Sequence, residues 1–259
     1  MDKEKKQGTR RMATTSLLLL LIALAAVTAT TVAWFSISSR TLVHSMSMDV
    51  TAGAALRFDT TAHGEFTEYV ETLSVDGIFA KISEQYGFDP YSAKLVPVTT
   101  DDGRVFTLRN GTVKEPETGA YLSFTLHFMS TRDMEVHLSS SHSFRGNDGT
   151  LISSELAKLP QALRISFTCG DKTVIFDPGA TEIDHTSKNI LIFGLPQAED
   201  MIYNDTNSLF DIKAETDTPV DIRIWIEGTD EACSDDIRGG DYSIRLRFVG
   251  TDENHIAIE

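Results

Sequence analysis

Seven histidines (His44, His63, His127, His137, His142, His185 and His255) are the side chains of this sequence best suited to hold a metal or move a proton. Their spacing supports neither. A zinc helix needs H-E-x-x-H, which sets two imidazoles on one face with a carboxylate beside them, and the motif is absent. His137 and His142 stand five apart on a strand-to-loop stretch, the wrong interval for a shared helix face, so surface histidines are expected. No G-x-S-x-G elbow, P-loop or dinucleotide glycine fingerprint occurs. Asp221 and Glu227 lie in a strand-like run and are expected on its solvent face, not as an acid–base pair. The loop TDEACSDD at 229–236 gathers Asp230, Glu231, Asp235 and Asp236, oxygen ligands of a kind calcium accepts, but the spacing is not that of an EF-hand. The expectation is therefore a protein that is not an enzyme, with no catalytic residue, no cofactor and no metal ligand. Trp225 is the remaining candidate contact. Flanked by Asp221, Arg223 and Glu227, it either stands exposed, ready to stack a sugar or plug a partner, or is covered by the 59–104 connection.

These residues sit on elements whose apolar positions alternate. VDIRIWIEG at 220–228 sends Val220, Ile222, Ile224 and Ile226 one way and Asp221, Arg223, Trp225 and Glu227 the other. AYLSFTLHFMS does the same with Leu122, Phe124, Leu126 and Phe128, and YSIRLRFVG with Ile244, Leu246 and Phe248. A period of two means half-buried strands. Shorter candidates lie at 46–50, 55–58, 105–109, 135–139, 163–167, 173–176, 189–193 and 209–214. Asn110-Gly111, Asp177-Pro178-Gly179 and Gly239-Gly240 are turn signals between them. Helices are expected only at 76–86 and at 153–159, the latter stopping at Pro160. Many one-faced strands imply an all-β, antiparallel, jelly-roll-like β-sandwich with one or two short helices.

The chain has 259 residues, 41% hydrophobic and 24% charged, enough apolar material for a sizeable core and too much for a disordered tail. A net charge of −15 disfavours nucleic acid as a partner. The charge is unevenly spread. Lys3, Lys5, Lys6, Arg10 and Arg11 precede an unbroken apolar run from Leu17 to Val27, and no charge appears until Arg40. A basic start, a short apolar stretch and a small-residue exit form an export signal. Cleavage is expected after Ala29 or Ala33. The alternative is an uncleaved anchor, a transmembrane helix over 13–35. This divides the chain into residues 1–33, signal or anchor, and 34–259, a single domain. The second part keeps 18 bases against 36 acids and stands at −18.

In an exported chain oxidation is permitted, so Cys169 and Cys233 are candidate partners in one disulfide. Such a bridge requires the end of the strand near Phe167 to meet the loop after Ile226.

The N-terminal block reads T-V-A-W-F-S at 31–36 and V-T-A-G-A-A-L-R-F at 50–58. It resembles the start of the TasA/camelysin-like exported proteins of Gram-positive bacteria, whose signal peptides are cut by a SipW-type signal peptidase. The C-terminal block at 220–248 is similar to clostridial proteins with the same type of signal. The resemblance implies cleavage after Ala33, a jelly-roll β-sandwich, and a secreted or cell-surface location. It also implies a biofilm-matrix fibre subunit in which an N-terminal segment completes the sheet of the next copy. Here that segment would be Trp34 to Val50, with Trp34, Phe35, Ile37, Leu42, Val43, Met46 and Met48 as its apolar positions. The expected partners are further copies of the chain or other surface proteins, and the membrane before or without cleavage. A membrane-anchored adhesin or glycan-binding module built on Trp225 is the alternative.

Overall fold

The computed structural model describes residues 46–53, 55–140, 149–180, 184–185, 190–196 and 201–258, together with Leu19, Leu20 and Ala23. The chain divides into two units, Met1–Arg40 and Thr41–Glu259. In the first, Leu19, Leu20 and Ala23 are helical; the rest of the expected signal or anchor, with both cleavage sites, lies outside the described residues. Among the described residues no helix is long and apolar enough to cross a membrane.

The second unit is mostly β. In chain order its strands are β1 (Met46–Thr51), β2 (Leu56–Asp59), β3 (Thr72–Ser74), β4 (Pro97–Val98), β5 (Phe106–Thr107), β6 (Val113–Lys114), β7 (Leu122–Ser130) and β8 (Met134–Leu138). There follow β9 (Leu151–Ser153), β10 (Leu163–Cys169), β11 (Lys172–Phe176), β12 (Asp184–His185), β13 (Ile190–Phe193), β14 (Phe210–Ile212), β15 (Thr218–Glu227) and β16 (Tyr242–Thr251). One sheet runs β14-β8-β16-β1-β3, with β9 also on β16. A larger one runs β12-β13-β11-β10-β15-β7-β2, with β4 also on β15, and β5 and β6 pair separately.

The alternation read from the sequence builds the centre of both sheets. Val220, Ile222, Ile224 and Ile226 of β15 are fully buried, as are Leu246 and Phe248 of β16. Each such side chain contributes about 1.5–3 kcal/mol by leaving water. The two sheets share one core. Phe248 of β16 lies 6.2 Å from Phe58 of β2, 5.0 Å from Phe128 of β7 and 5.9 Å from Phe167 of β10, ring centre to ring centre.

The pairing departs from the expected all-antiparallel pattern in three places. β1 runs parallel to β16, β13 parallel to β11, and β4 parallel to β15. Alternation sets which face a strand buries and says nothing of the direction of its neighbour.

Helix α1 (Val75–Tyr86) is the one expected at 76–86; it buries Ile78, Phe79 and Ile82 and closes on Gly87, whose φ of +73° suits the left-handed cap. The helix expected at 153–159 is not formed. Pro160 instead sits in the first turn of α2 (Leu159–Ala162), because a first-turn residue does not need the N–H that proline lacks. The Ser154 hydroxyl donates to the Asp241 carbonyl and accepts from the Leu156 N–H, holding a turn within the stretch expected to be helical.

Candidate functional site

Strand β8 carries Glu135 and His137 two positions apart, hence on one face, while Met134, Val136 and Leu138 point into the core. Thr251 of β16 lies directly across from Glu135 in the antiparallel ladder. Just beyond β16 the chain turns back. The Asp252 carboxylate accepts the Asn254 and Ile256 N–H groups, and the turn sets His255 in the left-handed region at φ +59°. Few residues other than glycine take that conformation, and histidine is one that is enriched there. The loop at 201–208 covers the other side. Asn207 donates its side-chain N–H to the Ile202 carbonyl and accepts the Asn204 N–H, while the Leu209 N–H donates to Val136 on β8.

These elements bring Glu135, His137 and His255 together, with one ligand-capable atom of each within 4.8 Å of the other two. Glu135 Oε2 stands 3.6 Å from His137 Nε2 and 3.3 Å from His255 Nδ1. Glu135 Oε2 and His255 Nδ1 are both buried atoms, and neither makes a hydrogen bond among the described residues. His137 is fully buried, against the expectation of a surface histidine. Its Nδ1 faces two acceptors, the Asn207 carbonyl at 3.1 Å and Asn207 Oδ1 at 2.9 Å, so Nδ1 carries the proton and Nε2 the lone pair. The Thr251 hydroxyl, 3.1 Å away, donates to that lone pair. Burial pushes the His137 pKa down to about 4, the Asn207 hydrogen bonds opposing it, so the imidazole is neutral at neutral pH. His255 Nε2 lies 3.5 Å from Asp205 Oδ1. Chemically this is a mixed nitrogen and oxygen donor set, of the kind divalent transition metals accept.

Helix spacing concealed the set. The signal is the strand interval Glu135-Val136-His137, which puts a carboxylate and an imidazole side by side on a sheet; nothing in the sequence brings His255 to them.

The other candidates are placed as follows. Trp225 is not an exposed contact: it is 1% exposed, because the segment between α1 and β7 folds over the outer face of the larger sheet. Val98, Phe106, Ala120 and Tyr121 from that segment, with Ile175 and Ile190, enclose it, and its indole N–H donates to Glu227 Oε2 at 3.0 Å. Cys169 and Cys233 are free thiols. The register explains why. The antiparallel pairing sets Leu163 against Ile226 and Thr168 against Asp221, so the loop after Ile226 meets the start of β10 and not its end. Asp230 of that loop contacts Arg164, and Cys233 binds back to Asp230, whereas Cys169 closes the strand five residues beyond Arg164, about 16–17 Å away. Burial raises both thiols, Cys233 to about 11.

In the acidic loop, Asp230 pairs with Arg164 and Asp236 with Lys158, which disperses the carboxylates. Arg164 itself joins two loops and α2 at one rim: its side chain reaches Asp230, Asp177 Oδ2 at 2.9 Å, and the Gln161 and Leu163 carbonyls. Trp34, Phe35, Ile37, Leu42 and Val43 lie outside the described residues. Met46 and Met48 belong to β1, paired with Tyr242 and Ile244 of β16.

No protein-family model, curated protein or solved structure matches the chain.

Proposed function

We propose that this is a non-enzymatic structural protein, secreted or held at the cell surface, that self-associates through its N-terminal segment. The observation that carries the reading is the position of β1. It is the first described strand, it lies between β16 and β3, and it is held by six residue pairs on one side and three on the other. The first strand of a domain, with a largely uncharged segment before it, is the kind of element one copy can exchange with the next, backbone hydrogen bonds supplying the affinity. A two-sheet β-sandwich, jelly-roll-like in connectivity, is the scaffold that belongs to this proposal. The export signal at the N-terminus, its cleavage and a fibre of the biofilm-matrix type are parts of the same reading.

The test uses the full chain produced in a host that processes export signals. Mass determination should give a start at Thr30 or Trp34, and electron microscopy should show elongated assemblies. A peptide of residues 44–53 (HSMSMDVTAG) added during assembly should shorten them by occupying the exchanged position. Protein that stays monomeric at high concentration with an ordered β spectrum overturns the reading.

A further inference from the structure

We propose that Glu135, His137 and His255 bind one divalent transition-metal ion of the zinc class, with three protein ligands and one position left for water. The proposal stands independently of self-association. Zinc bonds to nitrogen and carboxylate oxygen at about 2.0–2.2 Å, so neighbouring ligands of a tetrahedral ion lie about 3.3–3.5 Å apart. The separations of 3.3 and 3.6 Å from Glu135 Oε2 to the two imidazole nitrogens are of that size.

Three further observations point to the same occupant. First, Glu135 Oε2 and His255 Nδ1 are buried at close range and share no hydrogen bond, an arrangement that costs free energy unless something satisfies both. Second, each histidine has a partner behind it. Asn207 holds His137 in the tautomer that frees Nε2, and Asp205 stands within 3.5 Å of the far nitrogen of His255. Outer partners of this kind orient ligating imidazoles and raise their basicity. Third, His255 is presented from a left-handed backbone position, and strain of that kind gathers at sites where a side chain must be aimed. Two nitrogens and one carboxylate exclude calcium and magnesium, which take sets made of oxygen. On binding, the ion displaces the Thr251 hydroxyl from His137 Nε2 and ties the turn after β16 to β8 and, through Asn207, to the loop at 201–208.

The experiment is calorimetric titration of the chelator-treated full chain with zinc chloride alone, repeated on Glu135→Gln and His255→Asn. His137 is fully buried, and its replacement is open to misfolding, so the other two carry the test; asparagine accepts the positive φ at 255. The expected result is one ion per chain at micromolar affinity or better, weakened on the order of tenfold or more in each variant. Cobalt(II) should give the intense visible absorption of a four-coordinate ion in the wild type and only the faint six-coordinate spectrum in H255N. Absence of zinc binding at about 100 μM, equal binding by both folded variants, or several weak sites emptied by excess calcium would each overturn the proposal.

Discussion

Replacing Arg164 by methionine tests how the larger sheet is closed at one rim. The guanidinium is almost fully buried, with a side-chain exposure of 9%, and the carboxylates of Asp177 and Asp230 beside it are 16% and 22% exposed. Burial raises the Asp177 pKa, the Arg164 charge opposing it, so this carboxylate relies on its cation. Methionine keeps most of the volume and removes four polar contacts, leaving two carboxylates and two carbonyls facing an apolar side chain. Breaking a buried charge pair from one side costs about 3–5 kcal/mol. With a urea slope of about 2–3 kcal/mol/M for a chain of this size, the unfolding midpoint should fall by about 1–2.5 M. The assay is urea denaturation followed by circular dichroism. A companion variant, R164M/D177N/D230N, removes the stranded charges. Its asparagine oxygens can still accept the Gly179 and Ala232 N–H groups that Asp177 and Asp230 now hold. It should recover more than half of the loss. A fall below about 0.3 M for R164M, or no recovery in the triple variant, would refute the reasoning, since the cluster would then be worth no more than a surface pair.

Three further outcomes are expected. Trp225→Ala should destabilise the domain by about 3–5 kcal/mol in the same assay, because the side chain is enclosed on both faces; a loss below about 1 kcal/mol would mean that the covering segment does not pack as described. Tyr121 should resist ionisation: burial raises its pKa to about 12, so in absorbance at alkaline pH it should titrate after unfolded tyrosine. Because the folded pKa is the higher one, the stability that depends on the neutral phenol is complete below pH 10 and is lost as pH rises through about 12, and a Y121F protein should lack that alkaline decline. Both cysteines should alkylate slowly at neutral pH and rapidly in denaturant, and mass analysis without reductant should find two free thiols; a bridge would contradict the register of β10 on β15.

The long strands were legible and their partners were not. β7, β15 and β16 follow directly from alternation, since only one face of each pattern is apolar enough to enter a core. β4, β6 and β12 are two residues long and carry no period to detect. Trp225 shows where alternation misleads. Its neighbours Asp221 and Arg223 are polar, yet the outer face at Trp225 is covered by the segment between α1 and β7, the covered one of the two readings its sequence allowed, and nothing in the alternation chose between them. The cysteines failed as a pair because antiparallel pairing exchanges the ends of strands, which no spacing reveals. Of the metal-type cluster, Glu135 and His137 were visible as an i, i+2 pair on an expected strand. His255 was not, because its place depends on a turn built by Asp252 and on the register of the last strand.

The parallel pairing of β1 with β16 also has a consequence for the order of folding. Met46 and Tyr242 are partners separated by nearly the whole domain. A chain is made from its N-terminus at about 5–20 residues per second, so β1 exists for about 10–40 s before β16 is complete. Contacts of this sequence separation are also slow to close once both ends are present. Throughout that interval the edge that β16 will occupy presents its N–H and C=O groups to any other strand nearby. The pairing of β1 with β16 is thus among the late contacts of the domain, and if copies exchange β1 as proposed, the window for exchange is the time before that contact closes.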